Sequence, residues 1–512
     1  MKRLIPVVII SIVFTIIYSC TNTSNTENIT EQDGTSETLQ EESKSIVKNL
    51  EDKIYINIYM GGDLSTQFQK IQSSVTSTLK EFQNVSNKEI DFEYITINDN
   101  DSTENQKGIY NPLINLDLHP IWVTTDTDKI HKTYPYAIVH FREKSLPVLL
   151  YNSLYYDTIS DPSNEDLERC IENLEYNFIE SFYLIQQERK KKIAFLYGNG
   201  ELDSTNTWDI RNTLSKFYEV NYFDLRSFEI DQQTQSPDIK KQIDRLIEFE
   251  TIIIAKPTQS FLDIDKYIID QYIMNGGKTL WLLDGTSAHM NNFGRNLDFE
   301  IEKDTLLIED YLSVYGAKVN HDLIQDQICT KIPIRMPENQ QAFVDWQYNP
   351  LLISDTDHII NSNSDSILTH FVSGIDITNP EKTTILLSSS EKSNIINEGE
   401  NVHLDIIKNP PKKHSGKISV AVLIEDKFSS NFLKIEDTEE LKIKRESPQN
   451  KMIIISDGDI ISNLYNPPNF YYPLGYYHYG RNVFDGNTNF ILNCIQYLCD
   501  DEVLIKIRSK IK

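Results

Sequence analysis

The chain has 512 residues, 49 basic and 76 acidic, for a formal net charge of -27. That length allows roughly two to four domains with full cores, and 39% apolar with 24% charged residues is the composition of a folded chain. The acidic balance argues against a nucleic-acid binder or a polybasic membrane-surface protein, since both need a cationic face.

Lys2 and Arg3 precede an apolar run from Leu4 to Tyr18, followed by Ser19 and Cys20. A positive start, an apolar stretch and a small residue before cysteine describe an export signal over residues 1–20. Ile17-Tyr18-Ser19-Cys20 resembles a bacterial lipobox, in which Cys20 would be acylated after cleavage; an uncleaved anchor helix is the other reading. Either way the bulk is expected outside the cytoplasm, on the periplasmic side. Residues 21–45, rich in Thr, Ser, Asn, Glu and Gln, read as a polar tether. No later segment keeps the apolar run of about 18 residues that a spanning helix needs. Cys170, Cys329, Cys494 and Cys499 lack CxxC spacing, so they read as free thiols rather than zinc ligands.

A first domain is expected over residues 46–155. Ile54 to Tyr59 reads as a strand, and Phe68, Ile71, Val75, Leu79 and Phe82 fall on one helical stripe. Asp91 to Ile97, Ile121 to Thr124, Ala137 to Phe141 and Val148 to Leu150 read as further strands. The outline is a small, thioredoxin-like α/β domain without the redox CxxC. A second α/β domain is expected over 156–512. It opens with a long helix over 164–190, whose stripe is Leu167, Ile171, Leu174, Phe178, Phe182 and Ile185. Four apolar runs follow, Ile193 to Tyr197, Val220 to Leu225, Ile252 to Ala255 and Leu280 to Leu283, separated by helical patterns. Alternating strands and helices predict a doubly wound, mostly parallel sheet. Ile385 to Leu387, Ile418 to Ile424 and Met452 to Ile455 are expected to extend it, with a last helix over Asn489 to Leu498.

Several motifs suggest chemistry and fail on order or spacing. Gly276-Gly277-Lys278-Thr279 runs from helix into strand, the reverse of a phosphate-binding loop, and Tyr272 stands where its first glycine belongs. Gly198-Asn199-Gly200 continues to Asp203 instead of the third glycine of a dinucleotide loop. Asp457-Gly458-Asp459 reads as a tight turn in preference to a cation loop, and the tyrosine-rich stretch around His478 as a packed loop or partner surface. No cofactor or metal is expected, and no nucleophile or carboxylate pair assembles by spacing, so the chain is expected not to be an enzyme. In an open α/β sheet a ligand lies beyond the carboxyl ends of the strands. The polar residues there are Glu201, Lys256 and Asp284, candidates for a small-solute site, with Lys256 serving either as a cation for an anionic group or as a salt-bridge partner.

Taken together, Ile54 to Leu64, Ile171 to Tyr176, Ile193 to Glu201, Ile254-Ala255-Lys256-Pro257-Thr258 running on from Asp265 to Lys278, Val420 to Glu425, Ser456-Asp457-Gly458-Asp459 and Asn493 to Leu498 resemble the GldG family, the auxiliary protein of the gliding-motility ABC transporter of Bacteroidetes. The resemblance runs from about residue 46 to the C-terminus. It implies a non-enzymatic extracytoplasmic subunit working with a membrane permease and a cytoplasmic ATPase. It also implies a central domain like the class I glutamine-amidotransferase fold without its nucleophilic cysteine. The chain departs from the family at both ends, where a lipobox-like signal and tether replace the first membrane helix and no second one precedes Lys512; a lipid-anchored relative is the expectation. The alternative is a free lipoprotein that binds a small solute at the carboxyl end of the sheet.

Overall fold

The computed structural model describes residues 39–509, apart from 63, 97–109, 125–129, 152–162, 233–234, 294–297, 336–339, 355, 408–413, 434–442 and 469. The signal, Cys20 and the tether as far as residue 38 lie outside the described residues. The tether gives way to helix within its expected span, because α1 begins at Glu41 (Glu41–Lys48), with two glutamates in its first turn and Lys48 in its last.

The first sheet has the order β2-β1-β3-β4, from β1 (Ile54–Ile58), β2 (Ile90–Tyr94), β3 (Tyr136–Phe141) and β4 (Lys144–Leu149). β1 and β2 are parallel, joined by α2 (Thr66–Val85), while β3 and β4 run antiparallel. Ile54, Ile56 and Ile58 alternate inward, and α2 buries the expected stripe of Phe68, Ile71, Val75, Leu79 and Phe82. The helix expected over 164–190 is two helices, α3 (Asn164–Glu172) and α4 (Leu174–Gln186). The break is local: the Asn173 side-chain amide donates to the Arg169 carbonyl at 2.7 Å, sharing that acceptor with its own backbone N–H at 3.2 Å. Phe178 and Phe182 of α4 pack edge-on against Phe82 of α2, with centroids 6.4 and 5.5 Å away. These helices therefore pack across the boundary drawn at residue 155.

The second sheet has seven strands: β5 (Lys192–Tyr197), β6 (Glu219–Asp224), β7 (Thr251–Ala255), β8 (Lys278–Leu282), β9 (Thr383–Ser388), β10 (Ser419–Ser429) and β11 (Glu446–Ile455). Their order is β9-β10-β11-β8-β7-β5-β6. The five from β11 to β6 are parallel neighbours, and β10 runs antiparallel to both β9 and β11. The two-residue period of a strand explains the continuous apolar runs. Ile193, Phe195, Ile253, Leu280 and Ile453 face one core, with α5 (Trp208–Ser215) and α9 (Asp485–Leu498); α9 covers the helix expected over Asn489 to Leu498, but it is not the last, since a short helix follows over Glu502–Arg508. Ala194, Leu196, Ile252, Ile254, Trp281 and Ile454 face the other, under α6 (Ile239–Leu246), α7 (Asp263–Met274) and α8 (Glu309–Tyr315). Each such side chain contributes roughly 1.5–3 kcal/mol by leaving water. The fold is α/β, as the alternation of elements predicts.

Between β8 and β9 the chain makes a β-rich excursion that the sequence reading leaves unassigned. Its longest strands, Cys329–Arg335 and Gln341–Leu352, pair with a register break near Cys329. Trp346, Tyr348, Phe371 and Leu323 form a small core there, joined by Val402 from the segment between β9 and β10. The excursion lies against the carboxyl edge of the large sheet, where Ser373 N–H donates to the Ser456 carbonyl. Among the described residues no helix is long and apolar enough to cross a membrane, and the four described cysteines are free thiols, all but Cys329 buried.

Candidate functional site

β7, β8 and β11 are neighbours, so the residues that follow them converge at one edge. Lys256 follows β7 in a left-handed conformation (φ 51°), its N–H donating to the Leu282 carbonyl. Its Nζ lies 2.5 Å from Asp459 Oδ2 and 3.2 Å from Asp284 Oδ2. Asp284 Oδ1 accepts the Gly458 N–H at 2.6 Å, Asp457 Oδ1 accepts the Asp459 N–H at 2.7 Å, and Asp457 Oδ2 accepts the His370 N–H at 2.9 Å. Gly458 is required by this crossing: a Cβ there would stand 2.6 Å from Lys256 Cγ and 2.7 Å from its Cβ. Asp457-Gly458-Asp459 is thus the turn expected, and also half of an ion cluster. Of the two roles open to Lys256, the structure supplies the internal one.

Three carboxylates share one ammonium. Burial acts to lower the Lys256 amine, but Asp284 and Asp459 outweigh it and hold the amine above its ordinary value. Burial pushes the Asp284 carboxyl up. It pushes Asp457 up much further, with the neighbouring Asp459 and Asp284 charges adding to the rise. Desolvation acts to raise Asp459 as well, yet Lys256 holds it below the usual carboxylate range.

Glu201, the third candidate, joins a different set. Its Oε2 accepts the Asn199 N–H at 2.8 Å, and burial, first of several influences, raises its carboxyl. The loop around it fills the crevice between the carboxyl ends of β5 and β7, where the strand order reverses and ligands of such folds bind. The Asn199 carbonyl accepts Thr258 and Gln259 N–H, and Asp265, fully buried, holds Arg226 at 2.7 Å and Asn199 Nδ2 at 3.3 Å. The switch point is closed by the protein's own groups.

Open space lies instead on the β11 side, between the excursion and the turn after β11. A cavity of about 260 Å³ is lined by Asp459, three imidazoles (His289, His370 and His478), the Asn349 amide and the rings of Phe371, Tyr477 and Tyr479, among others. Burial lowers His370 and His478, favouring neutral rings. Sequence reasoning singled out the Asp-Gly-Asp turn and His478 separately but had no signal joining them. His289 and His370 come from loops with no periodicity to mark them, and Asn349 from the strand Gln341–Leu352, whose residues 346–350 are buried without alternation.

Beside the ion cluster, Asp304, Glu309 and His321 bring three potential metal ligands within 4.8 Å of one another. His321 Nδ1 lies 2.8 Å from the Gly285 carbonyl, and Nε2 lies 3.0 Å from Glu309 Oε1. With both ring nitrogens so placed, the set forms an imidazole–carboxylate network. Burial, then the Glu309 charge, push Asp304 from 3.8 up to about 6. A carboxyl raised on folding stabilises the folded state below its unfolded value and loses that advantage as pH rises through the folded one. Asp304→Asn, which keeps the oxygen that accepts the Leu306 N–H, is therefore expected to raise stability at pH 7 by about 1–3 kcal/mol. In denaturant melts the gain should close below about pH 4; an equal gain at both pH values would assign it to another cause.

The chain belongs to the family described as ABC-type uncharacterized transport system, whose model matches residues 190–494, the span of the large sheet with its excursion. It is an auxiliary protein of an ABC transport system, a membership that implies a non-catalytic accessory role. A second model, Domain of unknown function (DUF7088), matches residues 37–140. No curated protein matches the chain. Among solved structures it is similar to one titled "mmIFT52 N-terminal domain", at 12% identity and a TM-score of 0.35, over 60% of this chain and 97% of that one.

Proposed function

We propose that this auxiliary protein is a GldG-like subunit held at the outer face of a membrane through Cys20 or the preceding apolar run, working with a permease and a cytoplasmic ATPase in gliding motility. The observation that carries the reading is the family match across residues 190–494, supported by the GldG-like stretches on β5, β7, α7 and β11. Energy for transport comes in this reading from the ATPase. Crosslinking the tagged protein in native membranes, followed by mass spectrometry of what co-purifies, is expected to recover both partners. Recovery of neither would remove the subunit reading, and normal surface spreading of a deletion strain would remove the gliding link.

The cavity favours a second role within the first, the capture of a small solute. It lies at the carboxyl end of the parallel strands, it includes Asp459 of the ion cluster, and polar groups converge on it, as expected of a binding site in this architecture.

A further inference from the structure

The cavity's chemistry narrows what it would hold, an inference that rests on the solute-capture reading. Asn349 is only 3% exposed, and its Oδ1 accepts no hydrogen bond from any described residue. A buried acceptor left unmade costs roughly 1–3 kcal/mol, so its position on a cavity wall points to a donor supplied from outside. His370 donates its backbone N–H to Asp457, while its ring, on the cavity wall, hydrogen-bonds to no group among the described residues. His289 Nδ1 accepts the Asn291 N–H, which leaves Nε2 as the protonated nitrogen and a donor. The carboxylate on the wall, Asp459, is balanced from behind by Lys256, so the wall calls for hydrogen-bond donors without calling for a cation. Among the described residues no lysine or arginine lines the space to hold an anion.

The apolar share of the wall is divided between Met290, Ile332, Leu368 and Leu464 and a group of aromatic rings. The Tyr477 hydroxyl donates to the Lys331 carbonyl at 2.7 Å, which fixes its ring, and Tyr479 and Phe371 add two more faces. At about 260 Å³ the space falls just below the roughly 300–1,000 Å³ of drug-sized sites, which suits an occupant of one ring. A ligand that donates and accepts around its edge, carries no net charge and presents flat C–H faces to aromatic rings is a sugar. We propose that this cavity binds a single neutral pyranose ring, its hydroxyls donating to Asn349 Oδ1 and Asp459 and its face lying against the tyrosines.

The test is saturation-transfer NMR on the full-length protein in detergent, with glucose, galactose and N-acetylglucosamine as probes and glutamine, glycine betaine and inorganic phosphate beside them. The expected result is transfer to at least one sugar. Tyr479→Ala, a change at a partly exposed rim, should weaken it about tenfold, the worth of one aromatic contact, and Asn349→Ala should abolish it. No transfer to any sugar overturns the proposal, as does sugar transfer that neither variant changes, which would place the sugar elsewhere. Transfer to glutamine, betaine or phosphate that Tyr479→Ala removes overturns the sugar class and leaves the solute-capture reading standing. Silence from all six probes overturns both, and the partner pull-down then judges the subunit reading alone.

Discussion

Lys256→Met is expected to lower stability at pH 7 by about 3–5 kcal/mol, because removing one partner of a buried ion pair strands the others. Asp284 and Asp459 lose the ammonium at 3.2 and 2.5 Å, and the neighbouring Asp457 loses the cation nearest it. Methionine keeps most of the stem that threads past Gly458, so the effect reads the charge and not the packing. The pH dependence separates the cluster from a general loss of contacts. In the native protein Asp459, held below 3.8 by Lys256, contributes stability above that value and loses it as pH falls through its folded pKa. Without the lysine all three carboxyls are raised by burial and by one another, so the folded state binds more protons than the unfolded one. Stability of the variant should then fall as pH rises from 4 to 7, leaving a much smaller deficit at pH 5 than at pH 7. Lys256→Gly removes the same charge but relieves a left-handed backbone that costs a residue with a Cβ about 1–2 kcal/mol, and so should be less harmful than methionine by about that amount. Equal deficits at pH 5 and pH 7 would show that the cluster is not what these variants lose.

The pairing of Lys256 with Asp284 follows from a rule legible in the sequence. Ile252-Ile253-Ile254 and Leu280-Trp281-Leu282 are apolar on both faces, which marks parallel strands covered on both sides, and the residues after such strands share an edge. What the pattern does not carry is strand order. β11 comes more than 160 residues after β8 in the chain yet lies beside it, so Asp457 and Asp459 were visible as a motif without being assignable to Lys256. Glu201 shows the opposite limit: its edge is the expected one, but the contacts that fill the crevice beside it come from Arg226 and Asp265, which no spacing connects. Asn349 and His370 were beyond reach for a third reason. Asn349 lies on the strand Gln341–Leu352, where residues 346–350 are buried without alternation, and His370 follows a strand of only two residues, so neither carries a period that places it on the cavity wall. The break at Asn173 is a smaller case, a single side chain sharing a carbonyl with the backbone while the apolar stripe continues across it.

Asp270→Ala is the other large expected loss, and it probes the opposite face of the sheet. Asp270 of α7 is fully buried. Oδ1 accepts the Tyr315 hydroxyl and the Asn431 N–H, both at 2.8 Å; Oδ2 accepts Ser430 Oγ at 2.8 Å and Gln271 Nε2 at 2.9 Å. One carboxylate therefore ties α7 to α8 and to the chain leaving β10, and it does so through four neutral donors, with no ion pair to a lysine or arginine among the described residues. Alanine would leave all four without their acceptor in a dry core, at roughly 1–3 kcal/mol for each that finds no other. Allowing for water entering the vacated space, the expected loss is at least about 3–4 kcal/mol in urea melts. Asp270→Asn separates charge from shape: the amide keeps one acceptor oxygen for Tyr315 and Asn431, while its NH₂ opposes the donors Ser430 and Gln271, so it should fall between alanine and the native protein. Should alanine cost under about 1 kcal/mol, the four donors must already be served by solvent, and the helices over this face would be held by apolar packing around Trp281 and Tyr272 alone.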